Sequence, residues 1–178
     1  DAEKHAITVN GTVAGDKVEY SYDGGKTWVE TPKEYKDVTN VAIQVKVTNK
    51  NYKPEETILN ATVTITPATL TVSTPIATKV YEGTPLTAAG TISGFVNGET
   101  ATFTTTGSQT EVGSTANTYS LTWDGTAKES NYTVAETIGT LTVTAQSIDP
   151  ENPDYKGITV DAPTDVEYTG ADQTWLPT

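Results

Sequence analysis

The chain has 178 residues, 35% of them hydrophobic, and a formal net charge of −12, so it can hold one large domain or two small ones and repels nucleic acid and anionic membrane surfaces. Cysteine is absent and all 11 basic residues are lysine, which excludes disulfide staples, zinc thiolates and any arginine cluster for an anionic substrate. Threonine is the commonest residue and valine and tyrosine are frequent, the alphabet of half-buried β-strands.

Read in order, the chain opens on Asp1-Ala2-Glu3-Lys4-His5, a clipped copy of Val80-Tyr81-Glu82-Gly83-Thr84 and Glu167-Tyr168-Thr169-Gly170-Ala171. A second mark, Asn51-Tyr52 and Asn131-Tyr132, sets a period of 131 − 51 = 80 residues. Alternation predicts strands at 6–9, 17–22, 27–30, 41–48 and 61–66 in the first unit. In the second unit strands are expected at 69–73, 78–81, 90–95, 101–106, 117–123, 132–136 and 140–144. Between them lie the turn formers Glu82-Gly83, Asn97-Gly98, Glu111-Val112-Gly113-Ser114 and Asp124-Gly125.

The fold expected is therefore all-β: two tandem small β-sandwich modules of immunoglobulin-like type, at 1–67 and 68–146. A β-grasp-like module is the alternative, and residues 31–37 are the one stretch polar enough to supply its helix. Residues 65–70 leave almost no spacer between the modules, which predicts a stiff joint, whereas 147–163 reads as an acidic, proline-containing linker. Residues 164–178 read as the truncated start of a third repeat, with 165–176 making a strand-mediated contact to a neighbouring module or molecule through Tyr168, Trp175 and Leu176. The chain thus reads as an excerpt of a longer array, and no run approaches the roughly 20 apolar residues of a membrane span.

Chemistry is sparse in the inventory. Ser21-Tyr22-Asp23-Gly24-Gly25-Lys26-Thr27-Trp28 resembles the Asp box of sialidases and related propellers, in which the Asp caps a hairpin turn remote from the catalytic centre. Here it is read as a capped turn. His5 is the sole histidine and has no partner motif for nucleophilic catalysis, and Glu55-Glu56 point to opposite faces if extended. Asp149, Glu151 and Asp154 form a solvated charge run, with weak calcium binding as the alternative. Tyr52 and Tyr132 are read as core or corner tyrosines in preference to sugar platforms. Trp28, Trp123 and Trp175 are the discriminators: burial favours a structural role, solvent exposure beside polar groups a binding one. Sequons at Asn10, Asn60 and Asn131 are read as chance in a threonine-rich chain. No catalytic, cofactor-binding or metal-ligating residue is assigned, and no cofactor is expected.

Tyr81-Glu82-Gly83-Thr84-Pro85-Leu86, Val96-Asn97-Gly98-Glu99, Trp123-Asp124-Gly125-Thr126-Ala127-Lys128 with Ser130-Asn131-Tyr132, and Gly139-Thr140-Leu141-Thr142-Val143 together resemble the MBG-type repeats of large bacterial surface proteins. The first unit, through residues 18–28, 45–49 and 51–52, is similar to repeats that occur beside them. The resemblance implies an extracellular, secreted or wall-anchored adhesin-like protein of Gram-positive type, without catalysis. Two classes of function remain open: a stalk that projects an adhesive tip, or modules that themselves bind host glycan or matrix protein. The weakest alternative is an accessory domain of a secreted glycosidase.

Overall fold

The structure, a computed structural model, describes residues 2–153, 155, 157, 170 and 171. The strand contact expected of residues 165–176, with Tyr168, Trp175 and Leu176, lies outside them. Strands β1 (Lys17–Ser21), β2 (Thr39–Thr48) and β3 (Glu56–Ile65) form one antiparallel sheet in that order. Alternation sorts its faces: Ile43 and Val45 are buried with Tyr20, and Ile7, Val9, Val41 and Val63 pack against them.

Only Thr66-Pro67 separates β3 from β4 (Ala68–Ser73). Then follow β5 (Ala77–Val80), β6 (Thr91–Ser93), β7 (Thr102–Thr105), β8 (Gly113–Ala116), β9 (Tyr119–Thr122), a 3-10 turn (Glu129–Asn131), β10 (Tyr132–Thr137) and β11 (Thr140–Thr144). They assemble as three small sheets, β10-β4-β6, β5-β11-β8 and β7-β9. The result is an all-β, sandwich-like fold.

One pairing organises the β4–β11 unit. The opening strand, β4 and β5, runs parallel to the closing strand, β10 and β11, and the offset is the same on both sides of a shared break: Ala68 lies opposite Tyr132 and Ala77 opposite Leu141. Pro75 causes the break, because it lacks the N–H a ladder needs. The gap is bridged locally: Thr74 N donates to Thr137 O at 3.0 Å, and Gly139 N to Thr74 Oγ1 at 2.9 Å. Asn117, fully buried, seals it by donating from Nδ2 to Pro75 O and Ala88 O, each at 3.0 Å. A Cβ at Gly139 would sit 2.3 Å from the Pro75 carbonyl, so only glycine fits there.

Leu70, Val72, Leu141 and Val143 of this strand pair are at most 1% exposed. Around Leu70 the Tyr132 ring meets Phe95 edge-on at 5.7 Å and stacks on Trp123 at 5.9 Å.

Several expectations need correction. Residues 6–9 form no strand; only His5 pairs there, bridging Tyr35. Residues 27–30 supply a single bridge, Val29 to Tyr20, because the tight turn before them leaves no length for a ladder. The β-grasp helix is not formed at 31–37, where the chain is irregular and Tyr35 is held by His5. The only helical piece among the described residues is the 3-10 turn. Gly113-Ser114, read as turn, begin strand β8, because Leu141 and Val143 offer an open ladder on that side. β3 begins five residues earlier than alternation suggested, its whole length paired to β2. After β11, residues 147–153 are not simply extended: Asp149 Oδ1 accepts the Glu151 N–H, and Asn152 N donates to Asp149 O.

Replacing Leu141 by alanine should cost about 2–5 kcal/mol, the range for a fully buried leucine. Val63→Ala, at a half-buried position of β3, should cost less. Urea denaturation of the two variants reads the difference directly.

Candidate functional site

The Asp-box segment folds as a capped hairpin turn. Asp23 Oδ1 accepts the N–H groups of Lys26 and Thr27 at 3.0 and 2.9 Å, and its Oδ2 accepts Thr27 Oγ1–H at 2.6 Å. Ser21 Oγ donates to Asp23 Oδ1 and accepts Gly25 N–H, both at 2.8 Å. Gly24 and Gly25 stand at φ 73° and 88°, conformations that suit glycine. The Thr27 hydroxyl and amide, then the Ser21 hydroxyl, hold the Asp23 carboxyl well below the usual carboxylate range. Both carboxylate oxygens of Asp23 are thus turned onto their own loop, the arrangement of a structural turn.

The tryptophans are engaged. Trp28 is half-buried, donates Nε1–H to Gly25 O at 3.1 Å, and carries Lys46 Nζ 4.5 Å above its ring. Lys46 is held there by Glu19 at 3.0 Å. Trp123 is half-buried against Tyr132. Trp175 lies outside the described residues. Each described tryptophan thus has one ring face covered, that of Trp28 by Lys46 and that of Trp123 by Tyr132. An open groove of about 470 Å³ crosses Ala42, Gln44, Asn60 and Thr62 beside the turn, without an aromatic wall.

The paired tyrosines part company. Tyr132 is a buried corner residue: its hydroxyl donates to Glu99 Oε2 at 2.7 Å and accepts Val96 N–H at 3.2 Å. Burial, then the Glu99 carboxylate, raises its pKa. Tyr52 is not core; it is 36% exposed and ties its loop by donating to Asp16 Oδ2 at 2.9 Å. Asn49 Nδ2 donates to Asp16 Oδ1 at 2.7 Å, and these bonds with the Val13 amide depress the Asp16 pKa. The shared Asn-Tyr mark therefore specifies loop-tying, with burial supplied only in the second unit.

His5 is exposed and its backbone pairs with Tyr35. Glu56 begins β3 and Glu55 precedes it, both exposed. Asp149 caps a local turn through Glu151 N–H, while Asp154 lies outside the described residues. Among the described residues no three His, Asp or Glu side chains converge as metal ligands. Asn10 and Asn60 are exposed.

Asn131 is different, and the sequon reading missed what it does. Its Oδ1 accepts Val38 N–H at 2.9 Å and its Nδ2 donates to Asp37 Oδ1 at 2.8 Å. Asp37 Oδ2 receives Lys128 Nζ at 2.7 Å. The carboxamide so behaves as a spare peptide group, splicing the residues before β2 to those before β10 across the β3–β4 junction. Asn131 first, then Lys128, lowers the Asp37 pKa. Nearby, Lys36 Nζ lies 3.9 Å from Glu99 Oε1, the carboxylate that also holds Tyr132. The Lys128 side chain is 59% exposed, the setting of an ion-paired clamp rather than of a dry reactive centre. The signal available in the sequence was the repeated Asn-Tyr mark; Asp37 and Lys128 carried none.

Asp23 gives a pH test. A carboxyl depressed by folding contributes stability that is complete above its unfolded pKa and vanishes only as pH falls through the lower folded value. Slow hydrogen exchange at the Lys26 and Thr27 amides should therefore persist through the ordinary aspartate range, about pH 4. Asp23→Ala should abolish that protection at neutral pH. Equal exchange in the variant and the parent chain would refute the cap.

No curated protein and no solved structure matches the chain. The family model of the MBG domain (YGX type) matches residues 69–142, which span β4 to β11 almost end to end, and this second unit is an MBG-type module.

Proposed function

We propose that the chain is a stretch of non-enzymatic repeat modules from a bacterial surface protein, acting outside the cell as a spacer that projects an adhesive element. The MBG match supports a repeat module of surface proteins. The spacer role rests on one observation above all: opening and closing strands are parallel. The chain enters the module beside Tyr132 and leaves it beyond Thr144, at the opposite end, so each module adds length. Residues 68–80 span about 40 Å at roughly 3.3 Å per residue.

A spacer also needs a joint that does not fold back. The two-residue connection Thr66-Pro67 and the clamp of Asp37 with Lys128 and Asn131 serve that need from two sides of the junction. The acidic surface, with a net charge of −12, keeps such a chain soluble.

Because cysteine is absent, spin labels at Thr62→Cys and Thr122→Cys report one distance across the joint. A single narrow distribution is expected at neutral pH. Asp37→Ala should broaden it, and so should acid, since the depressed Asp37 pKa means the clamp is intact above the usual aspartate range and is lost as pH falls below it. A broad distribution in the parent chain would sink the spacer reading. Saturable binding of the chain to mucin, host glycan or matrix protein would replace it with the adhesive one.

A further inference from the structure

Asn117 does more than satisfy stray carbonyls. It follows Ala116, the last residue of β8, at the level where the opening and closing strands are both broken, and it holds each of them. Its backbone N–H donates to Gly139 O of the closing strand at 2.9 Å, while Nδ2 donates to Pro75 O of the opening strand and to Ala88 O of the return path. The residue is fully buried, so these bonds are shielded from water. Its Oδ1 finds no donor among the described residues, so the two donations alone set the direction of the carboxamide. Gly107 backs it closely: a Cβ there would sit 2.5 Å from Oδ1, which leaves the group no room to turn away.

The strands joined in this way form one parallel ladder in two halves. The first runs from Ala68 opposite Tyr132 to Ser73 opposite Thr137, the second from Ala77 opposite Leu141 to Val80 opposite Thr144. Tyr81 N extends the second half by donating to Thr144 O at 2.8 Å. Different strands flank the two halves, β6 beside the first and β8 beside the second. A pull on the two ends of this unit slides the parallel strands past one another, so the bonds between them share the load and must fail together. A pull on two neighbouring strand ends opens the same bonds one after another. Left to itself, a ladder interrupted in the middle fails as two shorter and weaker ones. A buried tie to both strands at the interruption removes that weakness.

We propose that the β4–β11 unit is a tension-bearing module, in which Asn117 couples the two halves of the parallel ladder so that they yield as one. The ladder geometry stands by itself; that the chain works under tension rests on the spacer reading above.

Force spectroscopy on the intact chain tests both parts, with cysteine pairs as attachment points in a sequence that has no cysteine of its own. Thr66→Cys with Ala145→Cys loads the ladder in shear, and Thr66→Cys with Glu129→Cys draws apart the adjacent starts of β4 and β10; all three positions are exposed. The shear pair should withstand several-fold more force than the peeling pair and give way in one rupture, since forced unfolding reads the barrier and not the equilibrium stability. Equal forces in the two directions overturn the proposal. In the shear pair, Asn117→Leu keeps the volume and loses both side-chain bonds, and it should split the rupture into two events at lower force. If that variant does not fold, Asn117→Ser, a smaller change at the same position, must show the split. Leu121→Ala, in the core around Leu70 but outside the ladder, should lower stability to urea and leave the rupture single. One rupture at parental force without the Asn117 side chain, or a split in Leu121→Ala as well, refutes the coupling. Every attachment point brackets the second unit alone, so failure here leaves the distance measurement across the joint standing.

Discussion

The parallel pairing of first and last strand is the constraint from which the rest of the second module follows. A parallel pair cannot be closed by a hairpin, so everything between β5 and β10 must travel back around the core before the closing strand is laid down. That return path supplies β6 to one flank and β8 to the other, and leaves β7 and β9 as a separate antiparallel pair. The break at Thr74-Pro75 lets the opening strand serve two sheets in turn, with the closing strand broken opposite it at Ile138-Gly139. Asn117 makes the double break tolerable by capping carbonyls that no ladder reaches.

Little apolar volume stands behind this architecture. The buried hydrophobic residues form small groups around Ile43 and around Leu70, and the largest aromatic side chains are half-buried. Local polar ties carry what the core does not: Asp23 on its hairpin, Asp16 between Asn49 and Tyr52, Glu99 beneath Tyr132, Asp124 on Thr102. Acidic side chains are thus used as hydrogen-bond acceptors for loops, which explains how a chain this acidic holds together without arginine. The exposed ties are modest alone, but each tie fixes a loop whose backbone would otherwise be free to exchange with water.

Strand alternation made β4, β7 and β11 legible, since each has one face against the core and period-two burial follows, whereas in β10 only Tyr132 is buried. The Asp-box turn was legible too, because all its bonds fall within eight residues. What escaped was long-range. β8 is glycine- and serine-rich at its start and becomes a strand only because β11 offers an edge. Residues 6–9 have strand chemistry and remain unpaired as a strand among the described residues, so propensity without a partner left them irregular. The Asp37, Lys128 and Asn131 clamp joins positions more than ninety residues apart, and nothing in local spacing announces such a contact. Asn131 illustrates the difficulty: the same three letters that spell a sequon spell a splice between sheets.

The direction of load follows from topology. With the chain entering beside Ala68 and leaving beyond Thr144, a pull applied to the two ends of this unit would draw the opening and closing strands in opposite senses along their own axes. Their ladder is then loaded in shear, so the bonds on both sides of the Pro75 break resist together, instead of opening one at a time as in a hairpin peeled from its end. Resistance under load is governed by the barrier to unfolding, which a small core can still make high if its hydrogen bonds must fail together. β3 in the first unit is different: it pairs with antiparallel β2 alone among the described residues, joined through the loop at 49–55, and lacks a parallel neighbour to share the load.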